Sequence, residues 1–233
     1  MHRIVLSAPG KNALSIAVLE KLRADVEAAR GEPFVLTGAG DAFCAGLNLK
    51  ELATLDRAGM RRLLSALDLA MAALFHYPAP TAAAVNGHAI AGGCVLALCC
   101  DLAVATADPR ARIGLNETAI GLPLPPSVAA LVRHRVPPGA WERVVLGAGL
   151  HAPPEALALG LVEALADDPL AAAEGEVARL AAHPRAAYAL NKRLLREGAL
   201  AAPGWGRVLE EEILPAWDSD EVRARARALL GGR

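Results

Sequence analysis

Short apolar runs typical of β-strands alternate with helical patterns along the first half of the chain. Such alternation indicates an α/β fold, in which helical crossovers connect parallel strands. Beyond residue 123 the pattern is almost wholly helical, apart from a short extended segment predicted at 160–163. The sequence therefore predicts an α/β core at residues 1–166 and a C-terminal helical region at 167–233. Strands are predicted at 3–7, 34–37, 81–85 and 102–106, helices at 16–29, 49–77 (with a break near Asp56) and 92–100, and later helix breaks at Pro184, 203–204 and Pro215.

Charge and hydropathy exclude two classes of partner. The 233 residues carry 24 lysines and arginines against 25 aspartates and glutamates, a formal net charge of −1. This balance argues against a general nucleic-acid binder. The most apolar stretch, residues 79–107, is interrupted by prolines, glycines, Asn86 and Asp101, so it never reaches the roughly 20 apolar residues of a spanning helix. Neither nucleic acid nor a membrane is expected as a partner.

The four cysteines lie in apolar or glycine-rich stretches and form no CxxC pair, so zinc-type spacing is absent and no metal site is expected. They are expected to be buried free thiols in a reducing compartment. The first residues lack an apolar run long enough for a signal peptide. These observations predict a cytoplasmic protein. The cysteines are Cys44, Cys94, Cys99 and Cys100.

Glycine-rich segments follow two of the predicted strands. Residues 38–40 would begin a dinucleotide-binding G-x-G-x-x-G motif, but Phe43 stands where the third glycine belongs, and no P-loop sequence occurs. Gly46 and the pair Gly92-Gly93 lie where a strand gives way to a helix, which leaves backbone N–H groups free. Two such turns that converge would form an oxyanion hole, whereas each glycine taken singly could serve only a tight turn or close packing.

The order and spacing of these segments resemble the crotonase (enoyl-CoA hydratase/isomerase) superfamily. The resemblance implies an α/β crotonase-like spiral of ββα units with a C-terminal α-helical trimerisation region, and so a homotrimer or a dimer of trimers. The first unit is expected to be trimmed, because the N-terminal strands are short. Residues 11–15 resemble the early NAL segment of the family, 40–52 and 86–101 its two oxyanion-hole loops, and 147–163 its later Ala-Leu-Gly-Leu-Val segment.

The same resemblance implies the site residues. The two donors of the oxyanion hole would be the backbone N–H groups of Leu47 and Gly92, so the side chain at position 47 is chemically unimportant. An acyl-CoA thioester is the expected partner, and no separate cofactor is needed, because coenzyme A arrives as part of the substrate. Substrate contacts are expected from Ala45, Gly46, Asn48, Leu49, Gly93 and Val95. Lys11 and Lys50 are candidates for contacts with the phosphates of coenzyme A, and Lys50 fits a solvated helix lysine equally well.

Carboxylates distinguish the activities of this superfamily. Its hydratases carry two glutamates, one directly after the Gly-Gly-Cys element, where this chain has Val95, and one at the position of Glu117. Water addition needs a held and activated water, whereas one carboxylate suffices to carry a proton from carbon 2 to carbon 4. The valine and the Gly-Leu-Asn-Glu-Thr string at 114–118 resemble the mitochondrial-type Δ3,Δ2-enoyl-CoA isomerase branch. An isomerase with Glu117 as its proton shuttle is therefore predicted.

The sequence is also compatible with other functions. The same oxyanion hole would support a hydratase, a thioester hydrolase or a decarboxylase. A non-catalytic acyl-CoA-binding subunit is a further alternative, and Glu117 would then be a surface or capping residue. His88 and Cys94 are expected to be structural, and the prolines at 123–126 either shape the acyl pocket or begin a helix.

The last predicted helix carries an arginine run. Arg223, Arg225 and Arg227 alternate with alanine. They are predicted to lie on a solvated face or at the rim of a trimer.

Overall fold

The computed structural model describes residues 1–200 and 205–231. Its eight strands pair only in parallel and form two sheets. The strands are β1 (His2–Leu6), β2 (Phe34–Gly38), β3 (Ala42–Cys44), β4 (Thr81–Val85), β5 (His88–Ile90), β6 (Leu102–Thr106), β7 (Ile113–Gly114) and β8 (Ala164–Ala166). The larger sheet has the order β1-β2-β4-β6-β8, and the smaller has the order β3-β5-β7. The predicted α/β class is confirmed.

Strands come in consecutive pairs that divide between the two sheets. In β2–β3, β4–β5 and β6–β7 the first strand joins the larger sheet and the second joins the smaller one. Helices follow each pair, which produces the predicted spiral of ββα units. After β1, however, the chain makes only an isolated bridge between Leu14 and Leu47, so the first unit is trimmed, as expected.

Short polar side chains set the starts of the long N-terminal helices. The helices of the spiral are α1 (Pro9–Asn12), α2 (Ile16–Ala28), α3 (Leu49–Leu52), α4 (Arg57–Phe75), α5 (Gly92–Cys99) and α6 (Pro126–Arg135). Ser15 caps α2 by accepting the Val18 N–H (3.2 Å), and Asp56 caps α4 by accepting the Gly59 N–H (2.8 Å). The helix break predicted near Asp56 is therefore confirmed, since α3 ends at Leu52 and α4 begins at Arg57. Pro126 occupies the first turn of α6, so the proline run does begin a helix.

The large sheet is covered on both faces. Its strand β4 is fully buried, and the main hydrophobic cluster joins this sheet to α2, α4 and α5. A second cluster on the opposite face joins Val35, Ala82 and Val104 to Ala173 and Val177 of the helix at 169–181. Burial on both faces explains why the sequences of these strands are continuous apolar runs.

The C-terminal region is helical, as predicted. It is preceded by two short helices, α7 (Trp141–Val145) and α8 (Pro153–Ala158), and its own helices are α9 (Pro169–Ala181), α10 (Arg185–Arg196), α11 (Trp205–Val208), α12 (Leu214–Trp217) and α13 (Asp220–Gly231). A break occurs at Pro184, as predicted, and the break predicted at 203–204 lies outside the described residues. The break predicted at Pro215 is wrong, because Pro215 lies in a helical run that continues from Trp205 to Trp217 through a π-helical turn (Leu209–Ile213). The domain division at 166/167 stays a prediction. None of the helices in the described ranges combines the length and apolar character that crossing a membrane requires.

In two further details the structure differs from what the sequence predicts. The extended segment predicted at 160–163 lies later, at β8, because Gly160 adopts a positive φ of 74° and first turns the chain out of α8. Arg223 does not lie on a solvated face, since its side chain is only 19 % exposed. The turn before α13 brings Asp218 beside its guanidinium, which also donates to the Leu55 carbonyl (3.2 Å).

Candidate active site

Two glycine turns meet at the ends of neighbouring strands of the small sheet. Gly46 follows β3 with a positive φ of 86°, and Gly92 begins α5 after β5. A Cβ atom at position 46 would lie only 2.8 Å from the Ile90 carbonyl oxygen and 3.6 Å from the Gly92 nitrogen. Glycine at 46 is therefore required both by the backbone conformation and by the close approach of the second turn. The convergence on which an oxyanion hole depends is present.

The two proposed donors have no acceptor within residues 1–200 and 205–231. The Leu14 N–H donates to the Gly46 carbonyl (2.8 Å) and the Asn48 N–H to the Leu14 carbonyl (2.9 Å), which holds the first loop from both sides of Leu47. The N–H of Leu47 itself, and that of Gly92 at the first position of α5, make no hydrogen bond there. Each N–H group is thus free to donate to a ligand oxygen.

Ala91 orients the second turn and is strained. It has φ 51° and ψ −121°, a conformation that favours glycine. Its N–H donates to the Gly114 carbonyl (2.8 Å), and its carbonyl accepts the Val95 N–H (3.0 Å). These bonds tie the start of α5 to β7, the strand that leads to Glu117. Strain of this kind costs about 1–3 kcal/mol and clusters at functional sites.

Glu117 presents a buried carboxyl beside these turns. The residue directly precedes a 3₁₀ turn (Thr118–Ile120), and its carbonyl accepts the N–H groups of Ile120 (3.1 Å) and Leu122 (2.9 Å). Only 7 % of the residue is exposed, and its Oε2 atom has no hydrogen-bond partner among the described residues. This burial raises the pKa of Glu117 to about 7. The carboxyl can therefore both take and return a proton near neutral pH.

Glu117 lies close enough to Cys94 of helix α5 for its charge to act on the Cys94 thiol. Burial, and after it the charge of Glu117, raise the pKa of the Cys94 thiol well above its usual range. Cys94 is thus a buried, protonated thiol, in agreement with the expected structural role. The next residue, Val95, is fully buried and offers only methyl groups. No acid occupies the position where the hydratases of the superfamily carry their first glutamate.

The pH dependence of turnover should report the ionisation of Glu117. A general base must be deprotonated, so kcat/KM should rise with pH and level off above an apparent pKa of about 7. The control is Asp68→Asn, because burial also raises the pKa of Asp68, to about 6, while its carboxylate accepts the Ser127 hydroxyl (2.5 Å). Initial rates between pH 5 and 9 should show the same profile in this variant. A profile governed by a group near pH 4 would contradict the role of Glu117.

A cavity of about 330 Å³ opens beside Leu47. It collects most of the substrate-contacting residues predicted for the first loop, together with one residue of α13. Gly93 lies elsewhere and serves packing, since a Cβ there would lie 2.8 Å from the Cys44 Cβ. The lining residues are Pro9, Gly10, Ala13, Ala45, Leu47, Asn48, Leu49, Lys50 and Leu230.

The two lysines predicted to contact coenzyme A differ in their surroundings. Lys50 lies at the cavity and makes no ion pair among the described residues. Lys11 instead pairs with Asp41 (Nζ to Oδ2, 3.0 Å), and both side chains are largely exposed. Asn48 has two roles. It lines the cavity, and its Oδ1 caps α3 by accepting the Lys50 N–H (3.1 Å).

Some residues that support the site were not predicted. Asn12 is buried with a positive φ of 60°, and its Nδ2 donates to the carbonyls of Ala39 (2.9 Å) and Ala42 (2.8 Å). It therefore holds the first loop in place. The sequence signal for this turn is the Gly-Lys-Asn string at 10–12, because glycine and asparagine tolerate the left-handed conformation better than most residues. His88, by contrast, has the structural role that the sequence analysis expected, since its Nδ1 accepts the Arg112 N–H (3.1 Å) and so supports the second loop.

Fold and site together define a class of protein. The chain forms a spiral of ββα units, and two converging glycine turns hold free backbone N–H groups close to a buried carboxyl. This is the architecture of the crotonase superfamily. A family model described as enoyl-CoA hydratase/isomerase matches residues 1–212, and the chain belongs to this family.

Known relatives carry both names of the family. A Thermus thermophilus protein with the provisional name enoyl-CoA hydratase is 39 % identical over 202 residues, covering 83 % of this chain and 76 % of that one. Enoyl-CoA delta isomerase 3 of Arabidopsis thaliana is 33 % identical over 173 residues, covering 72 % and 70 %. The crystal structure of human mitochondrial delta3-delta2-enoyl-CoA isomerase superimposes with a TM-score of 0.88 at 25 % identity, covering 99 % of this chain and 93 % of that one.

Proposed function

We propose that the protein is an acyl-CoA isomerase that moves a double bond from the 3,4 to the 2,3 position of an enoyl-CoA. The observation that carries the proposal is that, among the described residues, Glu117 is the one carboxyl found both buried and close to the start of α5. Glu117 has a pKa of about 7, and the buried Val95 places no acid at the position of the first hydratase glutamate. One such carboxyl suffices for a 1,3-proton transfer but leaves no second group to hold and activate water.

The proposed reaction runs in two proton transfers. Ionised Glu117 removes a proton from carbon 2, and the electron pair of that C–H bond moves into the thioester to form an enolate. The enolate oxygen accepts hydrogen bonds from the N–H groups of Leu47 and Gly92, each worth about 3 kcal/mol in the transition state. The protonated Glu117 then delivers the proton to carbon 4. The electrons return to form the 2,3 double bond, and the carboxylate is regenerated.

The cavity beside Leu47 is proposed to receive the coenzyme A portion of the substrate. It adjoins one donor of the oxyanion hole, and Lys50 at its edge supplies a positive charge for a phosphate. Ala45, Gly46 and Leu49 would line the path to the thioester, and Lys11 would add charge further out. The reaction needs no cofactor, since the oxyanion hole stabilises the enolate and Glu117 moves the proton.

Assembly and location are also proposed. We infer a homotrimer or a dimer of trimers from the family resemblance, and the exposed apolar face of α10 supports an assembly that covers it. Leu190, Leu194 and Leu195 are 47, 58 and 75 % exposed. A cytoplasmic location is proposed from the four cysteines, which are all buried and free.

Hydration is the second candidate, because the Thermus thermophilus relative carries the provisional name of a hydratase. The test uses purified protein with 3-enoyl-CoA and 2-enoyl-CoA esters of several chain lengths, followed in parallel for double-bond migration and water addition. Migration without hydration is expected. Hydration at a comparable rate would overturn the isomerase proposal and would require a second acid or base.

A further inference from the structure

The last helix lies across both halves of the proposed site. Helix α13 packs against α3, which follows the first oxyanion loop, and against the 3₁₀ turn that follows Glu117. Val222 and Ala226 of α13 are 4 and 3 % exposed, and they enclose a small void of about 10 Å³ together with Leu52 and Leu122. One helix therefore contacts the element after Leu47 and the element after Glu117.

Arg223 fastens α13 to the side of the first loop. Its guanidinium donates to the carbonyl of Leu55, in the connection between α3 and α4 (3.2 Å), and pairs with Asp218. Asp218 lies two residues before the start of α13, and its carbonyl accepts a second guanidinium hydrogen bond (2.7 Å). The charged group is mostly buried, at 19 % exposure. This end of α13 is thus fixed to the loop that follows α3.

Arg225 fastens α13 to the Glu117 turn. Its guanidinium covers Gly121, where a Cβ would lie 3.3 Å from the Arg225 Nε, and its Nη1 lies 3.5 Å from the Ala119 carbonyl oxygen. Glu221 holds the guanidinium from one helical turn away (2.7 Å). Gly121 ends the 3₁₀ turn with φ 78°. The guanidinium therefore closes over the turn whose N–H groups hydrogen-bond to the Glu117 carbonyl.

We propose that α13 is a brace that fixes Glu117 relative to the first oxyanion loop, with Arg223 and Arg225 as positioning residues. The proposal rests on the proposed function, in which the Leu47 N–H and the Glu117 carboxyl act on one substrate. Proton transfer to and from carbon depends steeply on position, and a displacement of about 1 Å can reduce a rate 100-fold. Neither arginine touches the reacting atoms.

The experiment compares Arg225→Ala with Arg227→Ala. Arg227 lies on the same helix, is exposed, and makes no ion pair or hydrogen bond within the described part of the chain, so it is a matched control. Arg225→Ala is expected to lower kcat for enoyl-CoA migration about 10-fold to 100-fold with KM unchanged, whereas Arg227→Ala keeps both. In a Glu117→Gln background, Arg225→Ala should cause no further loss of turnover, because the group that it positions is already disabled.

Amide hydrogen exchange tests the brace without any turnover. The N–H groups of Ile120 and Leu122, which both donate to the Glu117 carbonyl, should exchange faster in Arg225→Ala than in wild type and in Arg227→Ala. A wild-type protein that fails to isomerise enoyl-CoA would refute the proposed function but leave this measurement valid. Unchanged exchange at both amides, or a loss of kcat that persists in the Glu117→Gln background, would overturn the brace.

Discussion

The Glu117→Gln variant should lose double-bond migration by a factor of about 10²–10⁴ while its affinity for acyl-CoA stays the same. Glutamine matches glutamate in shape but cannot accept a proton from carbon 2. The oxyanion hole and the cavity beside Leu47 are unaffected by the change. The loss should therefore appear in kcat and not in binding.

The same substitution should stabilise the protein at high pH. Burial raises the pKa of Glu117 from its ordinary 4.5 to about 7, so the folded protein resists ionisation there more than the unfolded chain does. The stability that the protonated group contributes is present below pH 4.5 and is lost as the pH rises to about 7, a difference of about 3 kcal/mol. Glutamine, which never ionises, avoids this loss.

Two measurements check this prediction. Steady-state kinetics and acyl-CoA binding would separate turnover from affinity, and urea unfolding at pH 5 and pH 8 would measure the free energy of unfolding. We expect wild type and variant to differ little at pH 5, and the variant to be more stable at pH 8. Undiminished turnover in Glu117→Gln would mean a different base, whereas a protein that binds acyl-CoA but never turns it over would be a binding subunit.

The Asp101→Asn variant should be destabilised by about 3–5 kcal/mol, because it leaves two buried cations without their counter-charge. The Asp101 carboxylate pairs with Lys192 (2.7 Å) and Arg196 (2.9 Å), whose side chains are only 7 and 6 % exposed. It also accepts the Tyr188 hydroxyl and the Thr81 N–H, both at 2.8 Å. These bonds join α10 to the large sheet.

Denaturant unfolding would measure this effect against a surface control. The control is Glu210→Gln, since Glu210 pairs with Arg61 at 2.5 Å while both side chains are almost half exposed. Exposed pairs contribute little to stability, so the midpoint of this variant should barely move. A loss in Asp101→Asn no larger than that of the control would show that Lys192 and Arg196 reach water once the aspartate charge is gone.

The sequence predicted the alternation of strands and helices well, because that signal is local. Ser15 and Asp56 mark the helix starts through their own side-chain hydrogen bonds. The shift of β8 from 160–163 to Ala164–Ala166 depended on the positive φ of Gly160. A glycine in the sequence allows that conformation but does not require it, so the boundary was missed.

The site was predicted less completely, since its geometry depends on distant segments. Gly46 and Gly92 were recognisable as turn glycines, but their contact follows from the pairing of β3 with β5. The burial of Arg223 depends on Leu55, 168 residues away in the chain, and no local pattern encodes it. The raised pKa of Glu117 is likewise a property of packing around the residue.

The most direct test of Glu117 as a lone proton shuttle follows the hydrogen that it moves. A 3-enoyl-CoA deuterated at carbon 2 is converted in ordinary water, and the product is analysed by mass spectrometry and NMR. Because Oε2 of Glu117 is shielded from solvent and the residue is 7 % exposed, deuterium from carbon 2 is expected at carbon 4 of the 2-enoyl product. Product that carries only solvent hydrogen at carbon 4 would show that the proton comes from water or from a second acid, and would contradict a direct transfer by one shielded carboxylate.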